Sequence, residues 1–182
     1  TPPGIAVGTT RVVLDVARAV VRGEATTRAP TGTGRGVLPP YLDLRYQHVA
    51  GESRRWLYMH PPAEAAVRLR VPPQAYLQAG LALEPRTWTT DVGDGVRFLV
   101  EAEGASGRQV LLDRHVNPRA RGEDRAWLDV WVDLGHLAGQ EVRLILRTEG
   151  AQDPTYDWAG WANPQVVTWT AARPQPGARH QW

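Results

Sequence analysis

From about residue 40 onward, apolar and polar residues alternate with a period of two, and clusters of Gly, Pro, Asp and Asn separate the runs. Leu42, Leu44 and Tyr46 share one parity. Trp56 and Tyr58 alternate with Leu57 and Met59 and run into His60. Val67, Leu69 and Val71 stop at Pro72-Pro73, and Leu77, Ala79, Leu81 and Leu83 stop at Glu84-Pro85. Past Gly93-Asp94-Gly95 come Val96, Phe98, Val100 and Ala102. Val110 and Leu112 follow Gly104 and Gly107. Leu128, Val130, Val132 and Leu134 follow the polar stretch 117–124, Val142, Leu144 and Leu146 follow Gly139, and a last run covers 166–170. A two-residue period sends alternate side chains to opposite faces of a strand. About nine such runs bounded by turn residues predict an all-β, two-sheet antiparallel β-sandwich over residues 40–172.

The first 39 residues are mixed. Val12, Val13, Val16, Ala17 and Val20 fit a helical stripe, while 11–16 also alternates as a strand does, so an irregular or partly helical segment is expected. Residues 26–36 are polar and Gly-rich and read as a loop. The tail 173–182 is rich in Pro, Gly and Arg, and its only large apolar residue is Trp182. Such a tail frays unless something docks it. The chain opens at Thr1 rather than Met, which suggests a processed or excised segment.

Composition narrows the function classes. Of 182 residues, 42% are apolar, enough for a packed core, and 18 Gly with 15 Pro argue against a long-helix bundle. No apolar run approaches the roughly 18 residues that cross a bilayer. All 21 basic residues are Arg, set among 19 acids, and the pI is about 9.4. The positive charge is interleaved rather than drawn into a stripe; even Arg119, Arg121 and Arg125 are broken by Glu123 and Asp124. A nucleic-acid partner is therefore not expected. The lack of Lys and Cys fits a thermophile, and zero Cys removes disulfides, thiolate metal sites and Cys nucleophiles.

The order His60-Pro61-Pro62, Val71-Pro72-Pro73, 81–85, Gly93-Asp94-Gly95-Val96 and Tyr156-Asp157-Trp158-Ala159-Gly160-Trp161 resembles a non-catalytic β-sandwich module. Such modules occur in bacterial membrane glycosyltransferases and sulfatase-like proteins, and are similar to the novel carbohydrate-binding modules of glycoside hydrolases. The resemblance covers about residues 40–170, and its Asp-Trp-Ala-Gly-Trp motif is the distinctive part. It implies a galactose-binding-like jelly roll outside the cytoplasm, at the cell surface or extracellular, with a glycan or a parent envelope protein as partner. It transfers no binding residues.

No catalytic signature is present. There is no nucleophile elbow and no zinc-binding His pair. The glycines of Gly32-Thr33-Gly34-Arg35-Gly36 lack the strand–helix context of a phosphate loop, and Asp129 with Asp133 shows no cleft. Tryptophan carries the information, with eight Trp against one Phe. A flat indole offers an apolar face to the C–H side of a sugar ring. Alternation puts Trp127, Asp129, Trp131 and Asp133 on one face of a strand, the two Trp about 13 Å apart, opposite Leu128, Val130 and Val132. Trp127 and Trp131 form either a ligand or protein contact, with Asp129 on the same face, or a surface covered by a loop or the N-terminal segment. Trp158 and Trp161 are either further ligand contacts or a structural corner in which Asp157 bonds nearby backbone. Asp91, Asp94 and Asp157 could hold a structural calcium, or simply form turns. The expected protein is a non-catalytic glycan-binding module; the alternative is a self-associating subunit of a surface assembly, held by edge strands and terminal segments.

Overall fold

The computed structural model describes residues 8–30, 41–90, 92–152 and 155–171. Eleven strands build two antiparallel sheets. They are β1 (Gly8–Asp15), β2 (Thr26–Arg28), β3 (Leu42–Val49), β4 (Glu52–Met59), β5 (Ala63–Arg70), β6 (Ala75–Leu83), β7 (Val96–Gly104), β8 (Gly107–Val116), β9 (Leu128–Asp133), β10 (Glu141–Gly150) and β11 (Ala159–Ala171). The six-stranded sheet runs β3-β4-β11-β6-β9, with β1 also on β11; the five-stranded sheet runs β2-β5-β10-β7-β8. The nine alternating runs read from residue 40 are the nine strands β3 to β11.

The two periodicities read in the N-terminal segment are both present, one after the other. Residues up to Asp15 form β1 on β11, which corrects the helical reading of Val12 and Val13. The helix α1 (Val16–Val21) starts where the Asp15 carboxylate accepts the Arg18 amide at 3.0 Å, an N-cap that satisfies a free donor. It buries Val16, Ala17 and Ala19 against β11 and β5. Thr26–Arg28, read as loop, pairs with β5 as a short edge strand. The segment therefore crosses from one sheet to the other. The stretch 31–40, including the Gly32–Gly36 glycines, and the tail 173–182 lie outside the described residues.

The core lies between the sheets. Leu77, Leu81, Leu83, Leu57, Met59 and Trp161 from one sheet meet Val67, Phe98, Val100, Leu144 and Leu146 from the other. Leu128, Val130, Val132 and Val142 join this core, as the alternation predicts. β11 begins before the motif ends, so Gly160-Trp161 is strand rather than corner. Between Ala162 and Gln165, β11 advances three residues while β6 advances two. This bulge, with Asn163 at φ 45° followed by Pro164, restores the face parity so that both Trp161 and Val166 point inward. It also marks the place where β4 stops pairing with β11 and β1 takes over the same edge. No helix among the described residues is long and apolar enough to cross a membrane.

Candidate functional site

The outward face of the six-stranded sheet has two zones. Its strands β6 and β11 carry only small residues at four adjacent outward positions, Gly80 beside Ala162 and Ala82 beside Gly160. In the first zone, Trp56 and Tyr58 of β4 lie over these positions and form a second cluster with Val49, Ala82 and Trp158. A Cβ at Gly160 would sit 2.0 Å from Trp56 Nε1, so the glycine is what lets the indole lie flat on the strand. Trp88, Trp127 and Tyr156 pack onto this cluster. Arg45 lies 4.1 Å over the Tyr58 ring, and buried Glu84 pairs with Arg86 and, at 3.7 Å, with Arg45. Burial pushes the Tyr58 phenol up and outweighs the nearby Arg45 charge. This zone is sealed.

The second zone is open. A depression of about 290 Å³ is lined by Arg54, Gln78, Gly80, Asp129, Trp131 and Asn163, with Ala79, Val130 and Ala162. Trp131 forms one wall, held edge-on by Tyr76 at 6.2 Å. Arg54 and Asp129 face each other across Gly80: Arg54 NH1 bonds Asp129 Oδ1, and NH2 donates to Oδ2 at 3.3 Å. Glu52 holds the other side of the guanidinium, with both its oxygens at 2.9 Å. Donating to Glu52 and Asp129 holds Arg54 still more firmly protonated, and accepting from Arg54 holds Glu52 below the usual carboxylate range. Gln78 donates to Gln165 at 3.1 Å along the rim, and the β11 bulge delivers Asn163 to the hollow.

Of the residues singled out in the sequence, the structure brings Asp129 and Trp131 together in this depression. Trp127 stands behind Arg54, which lies 5.3 Å from its ring; its indole N–H donates to the Glu52 carbonyl at 3.1 Å and its ring meets Trp56 edge-on. It therefore ties the start of β9 to β4 rather than facing the hollow. Trp161 is 0% exposed in the core, T-shaped to Phe98 at 5.1 Å. This burial leaves it no face for a ligand and corrects its place among the ligand candidates. Trp158 is buried in the aromatic cluster beneath Arg86 and Tyr156, so it too is a packing residue.

Of the acidic trio, Asp94 and Asp157 are among the described residues. Asp91 lies outside the described residues. Asp94 accepts the Gln152 amide at 2.6 Å, and its carbonyl takes the Asn117 side chain. Asp157 is fully buried, with the Arg119 guanidinium 3.7 Å away; that Arg also donates to Thr90 and to the Tyr156 carbonyl. The positive charge opposite Asp157 is thus supplied by the chain itself. No group of three or more His, Asp or Glu suited to a metal occurs among the described residues.

Sequence reasoning passed over Arg54, Gln78, Gly80 and Asn163. Two signals pointed to them: a glycine inside the apolar run of β6, and Asn163-Pro164 interrupting a long β pattern.

No family model matches the chain. A curated relative from Archaeoglobus fulgidus, whose function is uncharacterized, is 30% identical over 138 residues. The match covers 72% of this chain and 33% of the relative, so the chain spans about a third of that protein's length. Among solved structures, CBM51 from Clostridium perfringens GH95 in complex with methyl-galactose superposes with TM-score 0.55 at 13% identity, over 88% of this chain and 100% of that one. The K3 cleaved adhesin domain of Lys-gingipain from Porphyromonas gingivalis gives 0.56 at 16%, over 88% and 99%. CBM51-2 with the INT domains of Clostridium perfringens ZmpB, in complex with GlcNAc, gives 0.53 at 12%, over 79% and 29%. These likenesses show the fold: a two-sheet antiparallel β-sandwich of the kind used by carbohydrate-binding modules.

Proposed function

We propose that the chain is a non-catalytic sugar-binding module of a larger protein that works outside the cytoplasm, and that it binds at the depression beside Trp131. One observation carries this reading. A half-buried indole walls a hollow whose other polar groups, Asp129, Arg54, Gln78 and Asn163, converge from four strands. That set offers stacking for a sugar C–H face and acceptors and donors for its hydroxyls. Solved structures of the same fold, by their own descriptions, hold methyl-galactose and GlcNAc, which supports the reading. The test is affinity electrophoresis through a panel of immobilised polysaccharides. The native chain should be retarded by at least one of them, and Trp131→Ala should migrate freely with its thermal midpoint nearly unchanged. Equal retardation of the variant, or none of the native chain, would falsify the assignment.

A second reading, association through an edge strand, draws on β1, which pairs with β11 alone among the described residues and exposes Val12 and Val13. Sedimentation of the native chain as a monomer at high concentration removes it.

A further inference from the structure

The charges around the depression select among sugars. Resting on the reading of this face as a sugar site, we propose that it takes an uncharged sugar and rejects uronic acids, and that Glu52 sets this discrimination. An arginine at a sugar site would ordinarily serve as the fork for a ligand carboxylate, because its planar donors match two oxygens at once. Here the fork is filled before any ligand arrives. Arg54 Nε and NH2 are taken by the two Glu52 oxygens, and NH1 and NH2 also reach Asp129. Two carboxylates on one guanidinium leave the group with a net negative charge.

The surroundings add to it. Asp133 shares the outward face of β9, its Oδ1 accepting the Gly135 amide. Asp15, which accepts Gln165 at the rim, is matched by Arg55. At formal charge, among the described residues in and beside the lining, Arg54 and Arg55 against Glu52, Asp129, Asp15 and Asp133 leave −2. Among the described residues of the lining, a sugar carboxylate would meet repulsion and no open cation. A hydroxyl meets Asp129, 59% exposed at its side chain, with acceptor positions to spare, and the amides of Gln78 and Asn163. Stacking on Trp131 is indifferent to the charge.

Matched pairs of polymers test this: methyl-esterified against free polygalacturonate, and mannan against polymannuronate, each run with the native chain, Trp131→Ala and Glu52→Gln. Retention that survives Trp131→Ala arises elsewhere on an Arg-rich surface and is subtracted. The Trp131-dependent affinity should be at least about tenfold weaker for the uronate of a pair, and the gap should shrink with added salt. Glu52→Gln should raise the uronate-to-neutral affinity ratio by opening one side of the Arg54 fork. Equal or tighter Trp131-dependent binding of the uronate overturns the inference while leaving the sugar-site reading standing, as does a Glu52→Gln chain with an unchanged ratio. Absence of Trp131-dependent binding to every polymer overturns both.

Discussion

The outward faces of the two sheets solve the same problem in opposite ways. On the five-stranded sheet, Arg143 reaches Glu64 of β5 at 2.6 Å and Glu103 of β7 at 3.3 Å. Arg147 and Arg108 converge on Glu101, and Arg97 pairs with Asp113. Ile145, Leu99 and Ala66 lie on that same face and are buried, because arginine stems cover apolar surface while their heads stay wet. A hollow of about 370 Å³ at one end of the sheet, between Arg68, Glu103, Glu141 and Arg143, has no aromatic wall. On the six-stranded sheet, the corresponding central positions are Gly80, Ala82, Gly160 and Ala162. Large residues at the centre of a face bring charged neighbours into a continuous ladder. Small ones leave a floor that aromatics must either fill, as Trp56 does, or border, as Trp131 does.

The largest expected effect comes from removing that floor. Gly160→Val places methyls where Trp56 Nε1 and the Leu57 carbonyl already stand, the carbonyl at 2.6 Å from a Cβ. Neither can yield freely, so the cost should reach or exceed about 3 kcal/mol, the upper part of the overpacking range, read by urea denaturation. A loss under about 0.5 kcal/mol, as at exposed sites, would mean that Trp56 does not rest on the strand.

The ladder should be more forgiving. Glu101→Ala removes a buried carboxylate, but its partners Arg108 and Arg147 keep side-chain exposures of 40% and 29% and can turn to water. A loss of about 1–2 kcal/mol is expected, below the cost of stranding a fully buried charge. A larger loss would show that the arginine stems are held in place by that carboxylate.

One buried group on each sheet, His60 and Glu101, should lose its contribution in a different pH window. His60, buried beside Tyr41 and Tyr58, donates from Nδ1 to the Pro61 carbonyl. Burial lowers its pKa from the usual 6.5, against a smaller opposite effect of that hydrogen bond. Its contribution is therefore complete above pH 6.5 and is lost as pH falls from there toward the folded value, because the unfolded chain takes the proton first. On the other sheet, burial pushes Glu101 up, but the hydrogen bonds of Arg108 and Arg147 outweigh it and the net shift is down from 4.5. That stability is present above pH 4.5 and is lost only as pH falls through the folded value. Denaturation midpoints from pH 7.5 to 3 should show two steps, and His60→Gln should flatten the upper one alone.

The smallest effect on stability falls where the effect on binding should be greatest. Gly80→Ala would bring a Cβ to 2.8 Å from Arg54 NH1, the far end of a flexible side chain that can shift. Stability should move by no more than about 0.5 kcal/mol, while sugar retention drops because the floor rises and the Arg54–Asp129 pair is displaced. Unchanged retention would place the sugar away from Gly80.

How much of this was legible in the chain depended on the range of the interactions. Alternation is local, so Leu128, Val130 and Val132 could be turned inward and Asp129 and Trp131 outward without knowing any partner strand. The fate of each outward tryptophan was not local. Trp127 and Trp131 have the same parity and similar surroundings in sequence, yet one is tied by Glu52 and Trp56 and the other borders a hollow. Trp161 falls inward because β11 starts early, and Val166 joins it there because a bulge resets the parity.

The sequence by itself determined the nine strands from residue 40 onward, most of their inward faces, the turns between them and an aromatic-rich character, because these follow from period, residue size and backbone preference over a few neighbours. Only the tertiary structure decided which aromatics face water, where small residues from β6 and β11 come together, and that Arg54, Glu52 and Asp129 meet. Asp129 pairs with a residue 75 positions away, and its neighbours are set by sheet order and register, which no window along the chain contains.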